Sequence, residues 1–154
     1  MVSNSPPAKQ SACISVEQSI LLNKSPIKVV SEAKFLGVIF DRTLSYRRHV
    51  NYLRTKCHKA LDILKVVGHT VWEADQKTLL CLYRALVRSK LDYGCIVYGA
   101  ASNNILNKLD PIHHQGLRIA LGAFRTSSVT SLYAKAQEMS LKNRRKELSM
   151  LSMF

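Results

Sequence analysis

A chain of 154 residues, 47% apolar and 21% charged, is the size of one ordinary domain or of a piece of something larger, and its composition excludes a disordered tail. It holds 23 Lys and Arg against 10 Asp and Glu, and residues 46–154 (18 basic, 7 acidic) carry +11 of the net +13. Such an excess points to a polyanionic partner, nucleic acid or an anionic membrane surface.

Met1 to Ser11 is polar with Pro6 and Pro7 and reads as a frayed start. Three short extended segments follow, around Ala12 to Val16, Ile20 to Leu22 and Ile27 to Val30. Asn23-Lys24-Ser25-Pro26 has turn chemistry, so the last two are expected to pair as a hairpin. Lys34 to Phe40 reads as one strand with Gly37 at its centre, and a glycine there marks a bulge or a close approach by another group.

From Ser45 the apolar period changes from two to 3.6. Val50, Leu53, Cys57, Leu61, Leu64 and Val67 form one stripe on a long helix that Gly68 ends. A second helix starts near Asp75, a good N-cap, with Leu79, Leu82, Tyr83 and Leu86 on one side. Lys77, Arg84 and Arg88 are seven and four residues apart, which on an α-helix places them within about 40° on the opposite side. Leu91 to Tyr98 continues or closes that helix at Gly94. A third helical segment covers Asn104 to about Phe124, where Pro111 forces a kink or a restart with Asp110 as cap. Arg125 to Ser128 is a polar loop, and one or two short helices follow, the last basic with Lys142, Arg144, Arg145 and Lys146. The order, strands first and helices after, predicts an α+β fold: short N-terminal strands or a hairpin, then a bundle of three to four helices.

Catalytic chemistry finds little support. No two acidic residues are adjacent, and a two-metal site needs carboxylates that hold ions about 4 Å apart. His113-His114 and Cys57-His58 are helix neighbours, about 100° apart, and do not face one target. Cys13, Cys57, Cys81 and Cys95 lack zinc-like spacing and read as reduced, mostly core thiols. There is no apolar core of a signal peptide and no bilayer-length apolar run, so the expectation is an intracellular chain, cytoplasmic or nuclear, with no membrane partner. Arg47, Arg48, Arg54, Lys59, Lys77, Arg84 and Arg88, on consecutive helices, are the candidates for phosphate-backbone contacts.

Several stretches in this order resemble one family: Phe35-Leu-Gly-Val-Ile-Phe-Asp41, Leu44-Ser-Tyr-Arg-Arg-His-Val50, Leu91-Asp-Tyr-Gly94 with Val97-Tyr98, and Leu109-Asp-Pro-Ile-His-His-Gln-Gly-Leu-Arg118. Leu121-Gly-Ala-Phe-Arg-Thr126 and Ser140-Leu141 ahead of Arg144-Arg145 extend the match. From about residue 9 to about 148 the chain is similar to reverse transcriptases of non-long-terminal-repeat retrotransposons, especially jockey-like elements of arthropods. The resemblance implies a palm-edge β region over 1–44, a thumb-like helical region over 45–124, and a basic linker over 125–154 leading towards a further domain, in some elements a ribonuclease H. It implies that Phe35, Leu36 and Gly37 lie where the family has its primer grip, and it pairs Lys9 with a lysine that follows the catalytic strands. The family's fingers and paired aspartates have no counterpart here, so it implies no catalytic residue, no metal site and no small-molecule substrate in this chain; Mg2+ is expected only for the complete polymerase. Ser128 stands where relatives commonly have proline. The expected partner is a template–primer duplex, RNA–DNA or DNA. A standalone basic helical module that binds nucleic acid or protein is the alternative.

Overall fold

The computed structural model of the chain describes residues 21–26, 30–69 and 75–153. The extended segment expected at Ala12 to Val16, most of that at Ile27 to Val30, and Lys9 and Cys13 lie outside them. The chain divides into two compact units, residues 1–30 and 31–154.

In the first unit Asn23 and Lys24 both adopt positive φ, 49° and 66°, the conformation of a two-residue turn whose twist matches its strands. They join β1 (Leu21–Leu22) to β2 (Ser25–Pro26), with Leu21 opposite Pro26 and Leu22 opposite Ser25. The hairpin sits where turn chemistry placed it. Its return strand, however, is the Ser25–Pro26 segment assigned to the turn.

The second unit opens with another hairpin, which corrects the single strand expected over Lys34 to Phe40. β3 (Glu32–Phe35) pairs antiparallel with β4 (Val38–Asp41), from Glu32 opposite Asp41 to Phe35 opposite Val38. Leu36 and Gly37 form the turn between them, with φ of 45° and 81°. Gly37 is therefore at a chain reversal, where glycine takes positive φ at no steric cost. A Cβ on it would also lie 3.3 Å from Tyr93 Cε1.

Asp41 then organises the approach to the first helix. Its carboxylate accepts from the Thr43 and Ser45 hydroxyls at 2.7 and 2.8 Å and from the Ser45 and Tyr46 amides at 3.0 and 2.9 Å. These donors, the Thr43 hydroxyl first, hold the carboxyl well below the usual carboxylate range.

Helix α1 (Arg47–His69) buries the predicted stripe: Val50, Leu53, Cys57, Leu61 and Leu64 are all in the core, with Val67 partly covered. Burial raises the Cys57 thiol to about 11, so it is an inert core thiol; Cys95 is also buried, but Cys81 is exposed. Helix α2 (Gln76–Tyr83) follows Asp75, which holds the cap position without a side-chain cap bond. A π-helical turn (Arg84–Arg88) leads into α3 (Ser89–Asp92), and Gly94, at φ 67°, separates that from α4 (Cys95–Tyr98).

Next come α5 (Asn103–Leu106), a 3₁₀ turn (Asn107–Leu109) and α6 (Asp110–Leu121), so the chain restarts at Pro111, in the first turn of α6. The cap position belongs to Leu109, and Asp110 is the first helical residue. α6 crosses α1 and α2 at the centre of the core. Gly116 makes the crossing possible: a Cβ there would lie 2.4 Å from Cε2 of the Tyr83 ring. Ser128 and Ser140 cap α7 (Val129–Ala136) and α8 (Leu141–Leu151), accepting from the Ser131 and Asn143 amides. The fold is α+β, hairpins followed by helices.

His113 lies inside this core. Its Nε2 donates to the Met139 carbonyl at 3.2 Å, so its Nδ1 accepts from the Tyr83 hydroxyl. His114 pairs with the Tyr133 hydroxyl at 2.8 Å.

Candidate nucleic-acid interface

Helix α1 has one acid, Asp62, and six basic residues, Arg47, Arg48, Arg54, Lys56, Lys59 and Lys65. All six are exposed, because the apolar stripe occupies the other side of the helix. Arg47, Arg54 and Lys65 fall within about 20° of one another, and Arg48 and Lys59 form a second row about 100° round. From Arg47 to Lys65 the rows run roughly 27 Å. Two surface ion pairs trim the excess, Arg48 to Glu32 at 2.7 Å and Lys65 to Asp62 at 3.0 Å, and pairs so exposed hold their charges only weakly.

The hairpin tip lies beside this helix. Phe35 and Leu36 are 65% and 72% exposed, large apolar side chains with nothing of the described protein over them. The Tyr93 hydroxyl, just past α3, donates to the Leu36 carbonyl at 2.6 Å and ties the turn down. Lys34 Nζ donates to the Tyr52 hydroxyl at 3.3 Å and lies over its ring, 4.9 Å from the centroid; Lys56 approaches the same ring at 5.5 Å. The Lys34 contact, ahead of the other causes, lowers the Tyr52 phenol below its ordinary value. Between the tip, α1 and α3 lies a groove of about 380 Å³ whose lining includes Gly37, Tyr52, Lys56, Lys90 and Tyr93 and no carboxylate.

The basic stripe expected on the second helix does not survive intact. Lys77 is exposed near the start of α2. Beyond Tyr83 the π-helical turn winds more residues into each turn than an α-helix, so the 100° step used to place Arg88 no longer holds. Arg88 is buried, paired with Glu138 and, at 3.6 Å, with Asp92, and its charge is neutralised inside the protein. Arg84 keeps half of its side chain exposed but gives its Nε to Glu138 at 2.8 Å and its NH2 to the Ala136 carbonyl. Thus the structure gathers the hairpin tip and α1 and withdraws Arg88.

Tyr52, Tyr93, Lys34, Lys56 and Lys90 escaped the sequence reading as a group. Only the i, i+4 spacing of Tyr52 and Lys56 signals an aromatic–cation pair along the chain; the others are brought in by the fold. Among the described residues no group of three or more His, Cys, Asp or Glu is placed to hold a metal ion. No helix of the described residues is long and apolar enough to cross a membrane.

A basic helical unit with a hairpin at its edge matches one class of protein in comparisons, the RNA-directed DNA polymerases of mobile elements. Over 108 residues the chain is 33% identical to the RNA-directed DNA polymerase from mobile element jockey of Drosophila funebris, covering 68% of this chain and 11% of that protein. It is 26% identical over 109 residues to the probable RNA-directed DNA polymerase from transposon X-element of Drosophila melanogaster, 67% of this chain and 11% of that one. It is 30% identical over 79 residues to the retrovirus-related Pol polyprotein from type-1 retrotransposable element R1 of Bradysia coprophila, 51% of this chain and 8% of that one. The chain belongs to the non-long-terminal-repeat retrotransposon polymerases of jockey type, and spans about a tenth of the length of these curated relatives. No protein-family model matches it, and no solved structure does.

Proposed function

We propose that this chain is the part of a retrotransposon RNA-directed DNA polymerase that contacts the template–primer duplex. Phe35, Leu36 and Gly37, at the hairpin tip, serve as the grip of a palm edge. The helices that follow are thumb-like, with Arg47, Arg48, Arg54 and Lys59 of α1 along the phosphate backbone, Lys77 adding to them and Arg84 contributing what Glu138 leaves. The observation that carries the reading is α1, which exposes six basic side chains against one Asp over a length of roughly eight nucleotides. Contacts of that kind follow shape and backbone instead of base edges, which suits an RNA–DNA hybrid close to A-form. In this reading the Mg2+ and its carboxylates belong to the complete polymerase, and this chain clasps without polymerising.

The test is binding of a labelled RNA–DNA hybrid followed against salt. Affinity is expected to fall steeply, with a logarithmic slope of about −0.9 for each phosphate neutralised. The triple variant Arg47→Ala, Arg54→Ala, Lys59→Ala should flatten that slope by about 3. An affinity insensitive to salt overturns the proposal.

A further inference from the structure

The groove beneath the hairpin tip has a chemistry that a clasp on paired nucleic acid leaves unused. Its walls are aromatic, Tyr52 on α1 and Tyr93 just past α3; its cations are Lys56 and Lys90, with Lys34 above the Tyr52 ring; and no carboxylate lines it. A paired phosphate backbone needs cations but no rings. An unpaired nucleotide needs both, a flat surface for the base and an ammonium for the phosphate.

Size agrees. About 380 Å³ is near the small end of ligand sites, room for one nucleotide and not for a base-paired step. His49, only 3% exposed, also lines the groove. Its Nδ1 accepts from the Ile39 amide at 3.3 Å, which puts the proton on Nε2, and Nε2 has no acceptor among the described residues. Gly37 forms the rim nearest the tip, and its turn is anchored by the same Tyr93 that forms a wall.

We propose that this groove takes a single unpaired nucleotide at the end of the bound duplex, its base against Tyr52 and Tyr93 and its phosphate at Lys56 and Lys90, with Lys34 exchanging the Tyr52 face for that phosphate. The proposal rests on the duplex reading, and its test separates the two. The full chain is titrated with a blunt RNA–DNA hybrid and with the same hybrid carrying one unpaired 5-iododeoxyuridine at the DNA 3′ end. The unpaired nucleotide is expected to tighten binding about tenfold, the range of one base stacked on an aromatic side chain. Tyr52→Leu should lose that gain and keep its affinity for the blunt hybrid; Tyr52→Phe, which retains the ring, should keep the gain. Irradiation should crosslink the iodinated base to the peptides that hold Tyr52 or Tyr93. Equal affinity for the two hybrids, a gain that survives in Tyr52→Leu, or a crosslink elsewhere overturns the groove proposal while the duplex reading stands. If the chain binds neither hybrid the duplex reading falls, and the crosslink of the same iodinated strand alone decides the groove: none at Tyr52 or Tyr93 overturns it.

Discussion

Glu138 holds the charge of two arginines, Arg84 and Arg88, with 8% of its side chain exposed. Arg88 is as deeply placed, and its other carboxylate, Asp92, is 3.6 Å away and shared with Arg144. Removing one partner of a buried pair leaves a desolvated charge, so Glu138→Ala should cost about 3–5 kcal/mol in chemical denaturation, whereas the double change Arg88→Met, Glu138→Leu should cost far less. A loss below about 1 kcal/mol for Glu138→Ala contradicts a buried pair. Asp41 tests a different point, the ordering of the approach to α1. Its folded pKa lies below its unfolded one, so its stabilisation is complete above about pH 4 and drains away as pH falls further. Asp41→Asn should lower the melting temperature at neutral pH, and the gap to the parent protein should narrow as the solution is acidified below about pH 4. A gap that stays constant assigns the loss to something other than the carboxylate charge.

At the scale of elements, Gly116 decides how closely α6 can cross α2. Alanine is the better helix former by about 1 kcal/mol, yet a Cβ here meets the Tyr83 ring at 2.4 and 2.7 Å, and that ring is buried and tied to His113. Overpacking of this kind costs about 1–3 kcal/mol, so Gly116→Ala should lower the unfolding midpoint despite the gain in propensity; a raised midpoint shows that α6 can shift freely. The sequence shows the apolar face of such helices well: the stripe of α1 is buried from Val50 to Leu64 as its spacing requires. It shows the hairpin of β3 and β4 poorly. An apolar run with one glycine has the periodicity of a strand, and Leu36, at φ 45°, is not a residue that announces a turn. The inward turn of Arg88 was hidden for a related reason, since helical spacing assumes a uniform 100° step that a π-helical turn breaks. Of the candidate interface, the exposed basic rows of α1 were legible, because they need only the helix. The Tyr52, Tyr93, Lys90 groove was not, because it needs three elements at once.

For the second unit as a whole, helices from α1 to α8 close over one interior, and the group most sensitive to that closure is His113. Burial, and after it the charges of Arg88 and His114, push its pKa down to about 4, while the Met139 carbonyl works the other way. The imidazole is therefore neutral in the folded protein over a range in which an unfolded chain, with a pKa of about 6.5, takes up a proton. Stability from this residue is intact above about pH 6.5 and is lost as pH falls towards the folded value, in total about 3 kcal/mol. His49 and His114 are shifted downward by burial as well and steepen the decline; Asp110, raised by burial, opposes it. Unfolding free energy measured in urea should therefore drop between about pH 6.5 and pH 4, and above about pH 5 ordinary exposed carboxylates are still largely ionised. His113→Gln, which keeps a donor and an acceptor but cannot titrate, should be less stable at pH 7 and markedly flatter across that interval. If its pH profile runs parallel to that of the parent chain, the proton is taken up elsewhere, and a neutral His113 at the centre of the helices is not what couples acid to unfolding.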